Sequence, residues 1–488
     1  MSRPPELFMT EEDWNQTPAA VQAVVVALWQ QVQALQVQVT TLQAEVAQLR
    51  EPLGRNWQNS SQPPSSDGPS ARPRPKRAPS GRQPGGQVGH LGHGRKLISV
   101  EQVQHVIDLK PTACDQCGAL LLGEDAQPVR RQVTDLPRVE PEVTEYRQHT
   151  LRCLMCGTRT SAEFPAGMPT GSLGPRVQAR VGYLRGRMGV SHRDVEEVLQ
   201  TVFHTDLSLG SLPAQEDQVS AALAAPVQAA QRYVQDQLVQ NVDETSWSEK
   251  TKRAWRWITT PPLVTFFLVI ATRGAIGAQQ MLGTVVKSIV GADRWSGYNW
   301  LDPQQRQACW AHLKRDFQAL VERGGESERI GRALLNQVET MFGLWPRVRD
   351  GTLRRTDFQT AMQPIQMEMG DLLREGAALA CDKTRHTCEN LLKMEVALWT
   401  FVRVVGVEPT NNSAERGLRR AGLWRRRSFG TQSEDGSHFV ERILTAVTTL
   451  RQQNRDVLDY LTEACAAAMR GDQAPSLLPD ASIIKSRT

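Results

Sequence analysis

The chain has 488 residues, with 57 lysines and arginines against 52 aspartates and glutamates and a formal net charge of +5. This length allows about three domains, and the charge balance alone does not indicate a polyanionic partner. Eight cysteines are too few for a disulfide scaffold. No apolar run approaches the roughly 20 residues that span a bilayer, and the N-terminus lacks the pattern of a secretory signal. We therefore predict a cytoplasmic protein that does not act in a membrane.

Residues 1–51 carry a heptad pattern, in which leucines recur every seven residues and a valine stands three positions before each. The leucines are Leu28, Leu35, Leu42 and Leu49. Valine at the a position and leucine at d favour a parallel two-stranded coiled coil. The alternative is a single amphipathic helix docked on its own domain, but a strict 3.5-residue period is narrower than docking needs. We predict a dimerisation helix, and hence a homodimer or a higher oligomer.

Residues 52–100 change abruptly to proline, glycine, serine and arginine, a composition that cannot bury a core. The cations of this segment face a single acid, Asp67. Those we assign to DNA contact are Arg72, Arg74, Lys76, Arg77 and Arg82. The segment is either a solvated tether or a basic arm on phosphate, and we predict a tether that also contacts DNA.

Two C-x-x-C motifs, each followed by glycine, lie within residues 101–170. Their cysteines are Cys114, Cys117, Cys153 and Cys156. Each motif places two thiolates on one turn, and zinc prefers four such ligands in a tetrahedron. A redox pair is the alternative. We predict a zinc-ribbon domain with a structural Zn²⁺ and a β-rich stretch, Val129–Leu151, between the motifs.

Residues 171–236 show helical periodicity, interrupted by a glycine-containing break at Gly189. Two short helices around such a turn are typical of a helix-turn-helix that binds DNA, and equally of an ordinary helical hairpin. The sequence leaves both interpretations open.

Strand patterns begin at residue 239, and two of the predicted strands end in an aspartate, Asp243 and Asp293. In a β-β-β-α-β unit the first and fourth strands pair side by side, which brings these carboxylates together. They repel each other unless a divalent cation lies between them. Hard oxygen ligands point to magnesium or manganese. Asp302 is the alternative second aspartate, but it precedes Pro303 and is typical of a helix start.

A third carboxylate is expected from a helix packed on the sheet, and Glu415 is the candidate because it follows a turn and cap signal at residues 409–413. Arginines follow it without an intervening acid. They are Arg416, Arg419, Arg420, Arg425, Arg426 and Arg427. Cations beside a metal–carboxylate cluster are expected if the substrate is a phosphodiester backbone, and the partner we predict is double-stranded DNA.

These motifs together resemble the insertion-sequence-66 family of bacterial DDE transposases over about residues 25–465. The matching segments include Asp243-Glu-Thr, Asp293-Arg-Trp-Ser-Gly-Tyr-Asn, Cys309-Trp-Ala-His312 and Asn411-Asn-Ser-Ala-Glu415-Arg. The resemblance implies an RNase H-like catalytic core with Asp243, Asp293 and Glu415 as its triad. It also implies a helical insertion, recognition of terminal inverted repeats by the N-terminal part, and small accessory proteins as partners. Cys309 and His312 offer only two ligands, so we interpret them as structural.

We therefore predict a multidomain α+β protein. Its parts are a coiled coil (1–51), a basic linker (52–100), a zinc ribbon (101–170), a helical DNA-binding region (171–236), an RNase H-like α/β core (237–302 and 403–465) with a helical insertion (303–402), and a flexible tail (466–488). The predicted function is transposition, with two Mg²⁺ or Mn²⁺ ions supporting strand cleavage and 3′-hydroxyl transfer into target DNA. The alternatives are a non-catalytic zinc-containing DNA-binding regulator and a structure-specific nuclease that does not join DNA.

Overall fold

The computed structural model describes residues 2, 4, 8–53, 60–61, 96–165, 167–169 and 171–480. They belong to two compact units. The first spans Met1–Arg72, Arg147–Val195 and Ser208–Thr488, and the second spans Pro73–Tyr146 and Glu196–Leu207. The linker cations predicted to contact DNA lie outside the described residues, namely Arg72, Arg74, Lys76, Arg77 and Arg82.

The N-terminal region forms a short helix α1 (Glu11–Gln16) and a long helix α2 (Ala19–Leu53). The Thr10 side chain caps α1 by accepting a hydrogen bond from the Asp13 amide. The heptad leucines Leu28, Leu35 and Leu42 are 55–57% exposed, and the side chain of Leu49 lies outside the described part. The heptad pattern requires a continuous helix, and α2 is one. The pairing of α2 with a second helix stays a prediction.

Segment Ala19–Gln43 of α2 is long and apolar enough to cross a membrane, judged by length and composition alone. This corrects our expectation that no segment approaches that criterion, because averaging over the helix counts the valines and leucines that polar residues separate. A single such helix is weak evidence for a membrane span, since core helices and signal sequences satisfy the same criterion.

The zinc-motif region contains two short strands, β1 (Thr150–Arg152) and β2 (Arg159–Ser161), which pair antiparallel. The prediction that Val129–Leu151 is rich in β-strands is wrong for most of this stretch, because strand structure begins only at Thr150. Its apolar side chains are exposed, as at Val133 and Leu136. Without a core to bury them, an alternating pattern does not produce strands.

Helices α3 (Pro175–Tyr183), α4 (His192–Phe203) and α5 (Leu212–Gln235) occupy the region predicted to be helical. A π-helical turn (Leu184–Met188) ends at Gly189, whose φ of 66° is left-handed and lets the chain reverse. Glu216 of α5 forms an ion pair with Arg185 and a hydrogen bond with His192, and these contacts connect α5 to the preceding segments. The helices confirm the periodicity, but this geometry suits a helical hairpin as well as a DNA-binding motif.

Within the described residues, five strands form one mixed sheet of order β5-β4-β3-β6-β7. They are β3 (Val239–Glu249), β4 (Lys252–Thr259), β5 (Phe266–Ile270), β6 (Ile289–Ala292) and β7 (Arg306–Ala308). Strands β3, β4 and β5 are antiparallel neighbours, whereas β6 lies parallel to β3 and β7 parallel to β6. Helix α6 (Ala275–Leu282) connects β5 to β6.

A group of helices follows the sheet and forms a second hydrophobic core around Phe317, Leu334, Phe358 and Phe401. They are α7 (Trp310–Glu322), α8 (Gly325–Arg349), α9 (Arg355–Ala377), α10 (Asp382–Lys393), α11 (Glu395–Leu398) and α12 (Thr400–Arg403). The predicted insertion 303–402 therefore begins too early, because β7 still belongs to the sheet. A three-residue strand, Arg-Gln-Ala, carries no apolar pattern that could have revealed it.

Helices α13 (Asn412–Ser428), α14 (Glu434–Gln452) and α15 (Val457–Arg470) complete the first unit. Helix α14 runs beside the edge strand β5 and supplies it with hydrogen-bond acceptors. The amides of Thr265, Phe267 and Val269 donate to side chains four residues apart on α14, those of Thr449, Thr445 and Glu441. The helix thus satisfies an edge that would otherwise be open to another strand.

The predicted tail 466–488 also begins too early. Helix α15 continues to Arg470, and Leu477 beyond it is fully buried. Its carbonyl accepts a hydrogen bond from the Gln453 side chain. Residues 471–480 therefore pack on the first unit, and residues 481–488 lie outside the described residues.

Candidate active site

Asp243 lies within β3, and Asp293 directly follows the neighbouring parallel strand β6. The parallel register pairs Val239 with Ile289 and Asn241 with Gly291, so its continuation places Asp243 opposite Asp293. The next strand, β7, pairs Ala308 with Ala292, which places Cys309 beside Asp293. Our prediction that the first strand ends at Asp243 is wrong, because β3 continues to Glu249 by pairing with β4. The parallel pairing of β3 with β6 stops at Asn241, so both aspartates lie just beyond the parallel-paired segment.

The electrostatics of this edge show crowded negative charge. The Asp243 carboxyl has a pKa raised well above its ordinary value, first by burial and then by the charges of Glu244 and Asp293, with Glu415 contributing further. Carboxylates that raise one another's pKa form a site that a cation would stabilise. All three residues of the predicted triad therefore contribute to one electrostatic environment.

Glu244 is a buried acid that the sequence interpretation did not single out. Its carboxylate accepts hydrogen bonds from Arg273 Nε at 2.7 Å and from the Tyr298 hydroxyl at 2.6 Å. Arg273 NH2 also lies 3.9 Å from Asp293 Oδ2. Burial and the charge of Asp293 raise the pKa of Glu244. Neighbouring residues of a strand face opposite sides of the sheet, so Glu244 faces away from Asp243. Its contacts with Arg273 and Tyr298 fix this part of β3 in place.

Glu415 lies in the first turn of α13, as the cap signal predicted. The buried Asn411 positions this turn: its side-chain amide donates to the Val242 carbonyl of β3, and its backbone amide donates to Cys309 Sγ, each at 3.4 Å. A carboxylate oxygen of Glu415 lies 3.7 Å from His312 Nδ1. The helix start is thus attached to the strand that carries Asp243.

The structure brings Cys309 and His312, which we interpreted as structural, to the same place as Glu415. One potential ligand atom from each of the three residues lies within 4.8 Å of the others. Cys309 is buried and immediately precedes α7, and His312 lies in the first turn of that helix. The sequence showed only two potential ligands here, and the fold supplies the third.

The arginines of α13 divide into distinct groups. Arg416 and Arg419 are exposed near Glu415. Arg425 points inward, with its guanidinium donating to the Ser246 carbonyl at 2.8 Å, so it is the least available of the predicted set for DNA phosphate. The side chains of Arg420, Arg426 and Arg427 lie outside the described part.

A fully buried arginine, Arg256, lies on β4 directly opposite Thr245. None of its guanidinium nitrogens has a hydrogen-bond partner among the described residues. The group stacks on the Trp247 ring at 4.5 Å. Burial, and then the charge of Arg425, lower its pKa to about 9. An unpaired buried charge of this kind destabilises a fold.

Replacing Arg256 by methionine is expected to raise the free energy of unfolding by about 2 kcal/mol, because the change removes a buried unpaired charge and keeps most of the side-chain volume. Urea unfolding of the full chain at pH 7 measures the effect. Arg253→Met is the matched control, since Arg253 is exposed on the same strand and also stacks on a tryptophan, Trp255. A lower stability for Arg256→Met would contradict this account of Arg256.

The two cysteine motifs form turns of the same geometry. In the first, the Gly118 amide donates to the Cys114 carbonyl, and in the second the Gly157 amide donates to the Cys153 carbonyl. Both glycines have left-handed φ angles. Hydrogen bonding from Thr158 lowers the pKa of Cys156 to about 7, which favours the thiolate that zinc requires.

Comparison with protein families identifies the chain. The model described as the transposase IS66 family matches residues 170–438, and the zinc-finger binding domain of transposase IS66 matches residues 111–157, which include both cysteine motifs. A family of unknown function matches residues 10–96. These matches define a transposase with a zinc-finger domain that supports a structural zinc ion. The chain belongs to the IS66 family of transposases.

Two similar proteins come from Sinorhizobium fredii. The uncharacterized protein y4qI is 24% identical over 251 residues, which cover 46% of this chain and 45% of that protein. The uncharacterized protein y4hP is 24% identical over 409 residues, which cover 75% of this chain and 72% of that protein. The chain thus spans about half the length of the first of these relatives.

Proposed function

We propose that this transposase cleaves the ends of its insertion sequence and joins the freed 3′-hydroxyls to target DNA, with Asp243, Asp293 and Glu415 as the catalytic carboxylates. The observation that carries the proposal is their arrangement. Asp243 and Asp293 lie just beyond the parallel-paired segment of β3 and β6, and Glu415 lies in the first turn of a helix attached to β3 by Asn411. Their shared electrostatics, expressed in the raised pKa of Asp243, support one site.

The sheet topology supports an RNase H-like core for this chemistry. Three antiparallel strands are followed by two that run parallel to the first, and helix α6 lies at the crossover. In our proposal residues 237–308 and 403–470 form this core, and the helices between them form an insertion with its own hydrophobic centre. The order places the carboxylate-bearing strand at the centre of the sheet.

The donor atoms suit a hard divalent cation. Carboxylate oxygens are the ligands that Mg²⁺ and Mn²⁺ prefer, and the repulsion that raises the pKa of Asp243 would be relieved by bound positive charge. Two such ions would activate the attacking water or 3′-hydroxyl and stabilise the leaving oxygen. Asp243, Asp293 and Glu415 would hold them, while Arg273 and Tyr298 fix the neighbouring Glu244.

The remaining segments would bind DNA and pair subunits. The exposed Arg416 and Arg419 lie beside Glu415 and would bind backbone phosphates. The zinc-finger domain and the basic linker would recognise the terminal inverted repeats. The exposed heptad face of α2 would pair two chains, so that both ends of the element are held together in the cytoplasm. Small accessory proteins of the same element would be further partners.

A strand-transfer assay with the element's own DNA ends tests this proposal. We expect cleaved ends and joined products with Mg²⁺ and neither without it, because the carboxylates need the cation to act on phosphate. Binding without cleavage under either condition would indicate a zinc-containing DNA-binding regulator. Cleavage without joining would indicate a structure-specific nuclease. Either result contradicts the proposal.

A further inference from the structure

The cluster of Cys309, His312 and Glu415 has an unusual set of donor atoms for a carboxylate site. It combines a thiol, an imidazole and a carboxylate, each offering one atom within 4.8 Å of the other two. Two rigid elements hold it, because Cys309 and His312 begin α7 and Glu415 begins α13. The cluster is therefore a product of the fold and not of one flexible loop.

The nitrogen of this cluster lacks a hydrogen-bond partner. His312 Nδ1 is inaccessible to solvent and makes no hydrogen bond within the described residues, and the nearest carboxylate oxygen, on Glu415, lies 3.7 Å away. Cys309 Sγ is buried and accepts a long hydrogen bond from the Asn411 amide, at 3.4 Å. A buried imidazole nitrogen without a partner is costly unless a ligand satisfies it.

The donor atoms of the cluster indicate which class of cation it would bind. Sulfur, nitrogen and oxygen donors together suit Zn²⁺ and related transition-metal ions, whereas Mg²⁺ prefers oxygen alone. Ligand atoms on one zinc ion lie about 3.2–3.8 Å apart. The His312 and Glu415 atoms already lie 3.7 Å apart, and the remaining separations need to shorten by at most about 1 Å. The hard Asp243 and Asp293 carboxylates lie outside this donor group.

We propose that Cys309, His312 and Glu415 bind one zinc-type divalent cation in an open, three-ligand site that is separate from the zinc finger. Three protein ligands leave a fourth position for water or a DNA oxygen. The binding claim does not depend on strand transfer, although Glu415 is shared with the proposed magnesium site. A carboxylate has two oxygens and can bridge two cations.

Equilibrium dialysis of the full chain at a fixed free Zn²⁺ concentration, followed by elemental analysis, tests the proposal. Cys309→Ser and His312→Ala are each expected to lose one bound zinc relative to the unchanged chain, while the zinc of the finger remains. Cys465→Ser is the matched control, because Cys465 is also a buried thiol but lies in α15 outside the cluster. It should retain the full zinc content.

Two outcomes would overturn the inference. One is an unchanged zinc content in both Cys309→Ser and His312→Ala, and the other is an equal loss in Asp243→Asn, which would place the ion at the aspartates. Circular dichroism of each variant checks folding, and His312 provides the second variant because its side chain is a quarter exposed. DNA cleavage is measured separately, so a failure of the strand-transfer proposal leaves the zinc result interpretable.

Discussion

Replacing Asp243 by asparagine is expected to reduce DNA cleavage and joining by at least about 10³-fold, or about 4 kcal/mol of transition-state stabilisation. The amide keeps the side-chain shape and can still accept the hydrogen bond from the Glu244 amide. It removes the charge with which this position would hold a cation. Affinity for the DNA ends should be unchanged, because the segments proposed to bind them are elsewhere in the chain.

The substitution Asp243→Asn is also expected to change the thermal midpoint of unfolding. Since the pKa of Asp243 is raised, the charged form is disfavoured in the folded chain at pH 7. Asparagine should therefore leave the metal-free thermal midpoint equal or higher, while Mg²⁺ should stabilise the unchanged chain more than the variant. Calorimetry with and without Mg²⁺ measures both effects.

Asp302→Asn is the matched control for Asp243→Asn. Asp302 was the alternative second aspartate, and in the structure its side chain accepts a hydrogen bond from the Gln304 amide at the start of a 3₁₀ turn. Its substitution should leave cleavage and joining intact. Cleavage retained by Asp243→Asn, or lost by Asp302→Asn, would contradict the assignment of the triad.

Replacing Gly430 by alanine is expected to destabilise the chain by about 4 kcal/mol. Gly430 has a φ of 115°, which side chains rarely adopt, and a Cβ here would lie 2.0 Å from the Ser248 carbonyl oxygen. The neighbouring Thr431 amide donates to that same oxygen at 2.9 Å. The contact joins the α13–α14 connection to β3, so the clash also strains the strand that carries Asp243.

Gly422→Ala is the control for Gly430→Ala. Gly422 lies within helix α13, and a Cβ there meets no atom within 4 Å. Alanine at this position should stabilise the chain by up to about 1 kcal/mol through helix propensity. Urea unfolding distinguishes the opposite signs. Equal stability of the two variants would mean that the Gly430 conformation is not required.

The periodic parts of the fold were predictable because their patterns are local. The long helix α2, the helices after residue 175 and the strand that ends before Asp293 follow from spacing alone. The extension of β3 from Asp243 to Glu249 depends on its pairing with β4 and was missed. Strand β7 was not predictable, since its three residues form a strand only by pairing with β6. The prediction of strands in Val129–Leu151 was wrong for the converse reason. The pattern there is apolar and alternating, but its apolar side chains are not buried against any other part of the described residues.

Some residues of the candidate site were also predictable from local sequence patterns, and others were not. Asp243 and Asp293 belong to strand patterns and Glu415 to a helix start, and these are visible in the sequence. The role of Glu244 depends on Tyr298, which is far along the chain. The environment of Arg256 depends on how β3 and β4 pair and on the contact with Trp247. The cluster of Cys309 and His312 with Glu415 depends on the placement of α7 and α13, which no local pattern specifies.

The hydrogen bonds between α14 and β5 have a consequence for biosynthesis. Strand β5 is translated well before Glu441, Thr445 and Thr449, so its outward amides lack their protein acceptors during that part of synthesis. In that interval the strand is a template for pairing with other nascent chains. The edge of the sheet is therefore protected only after α14 has been translated and has packed on β5.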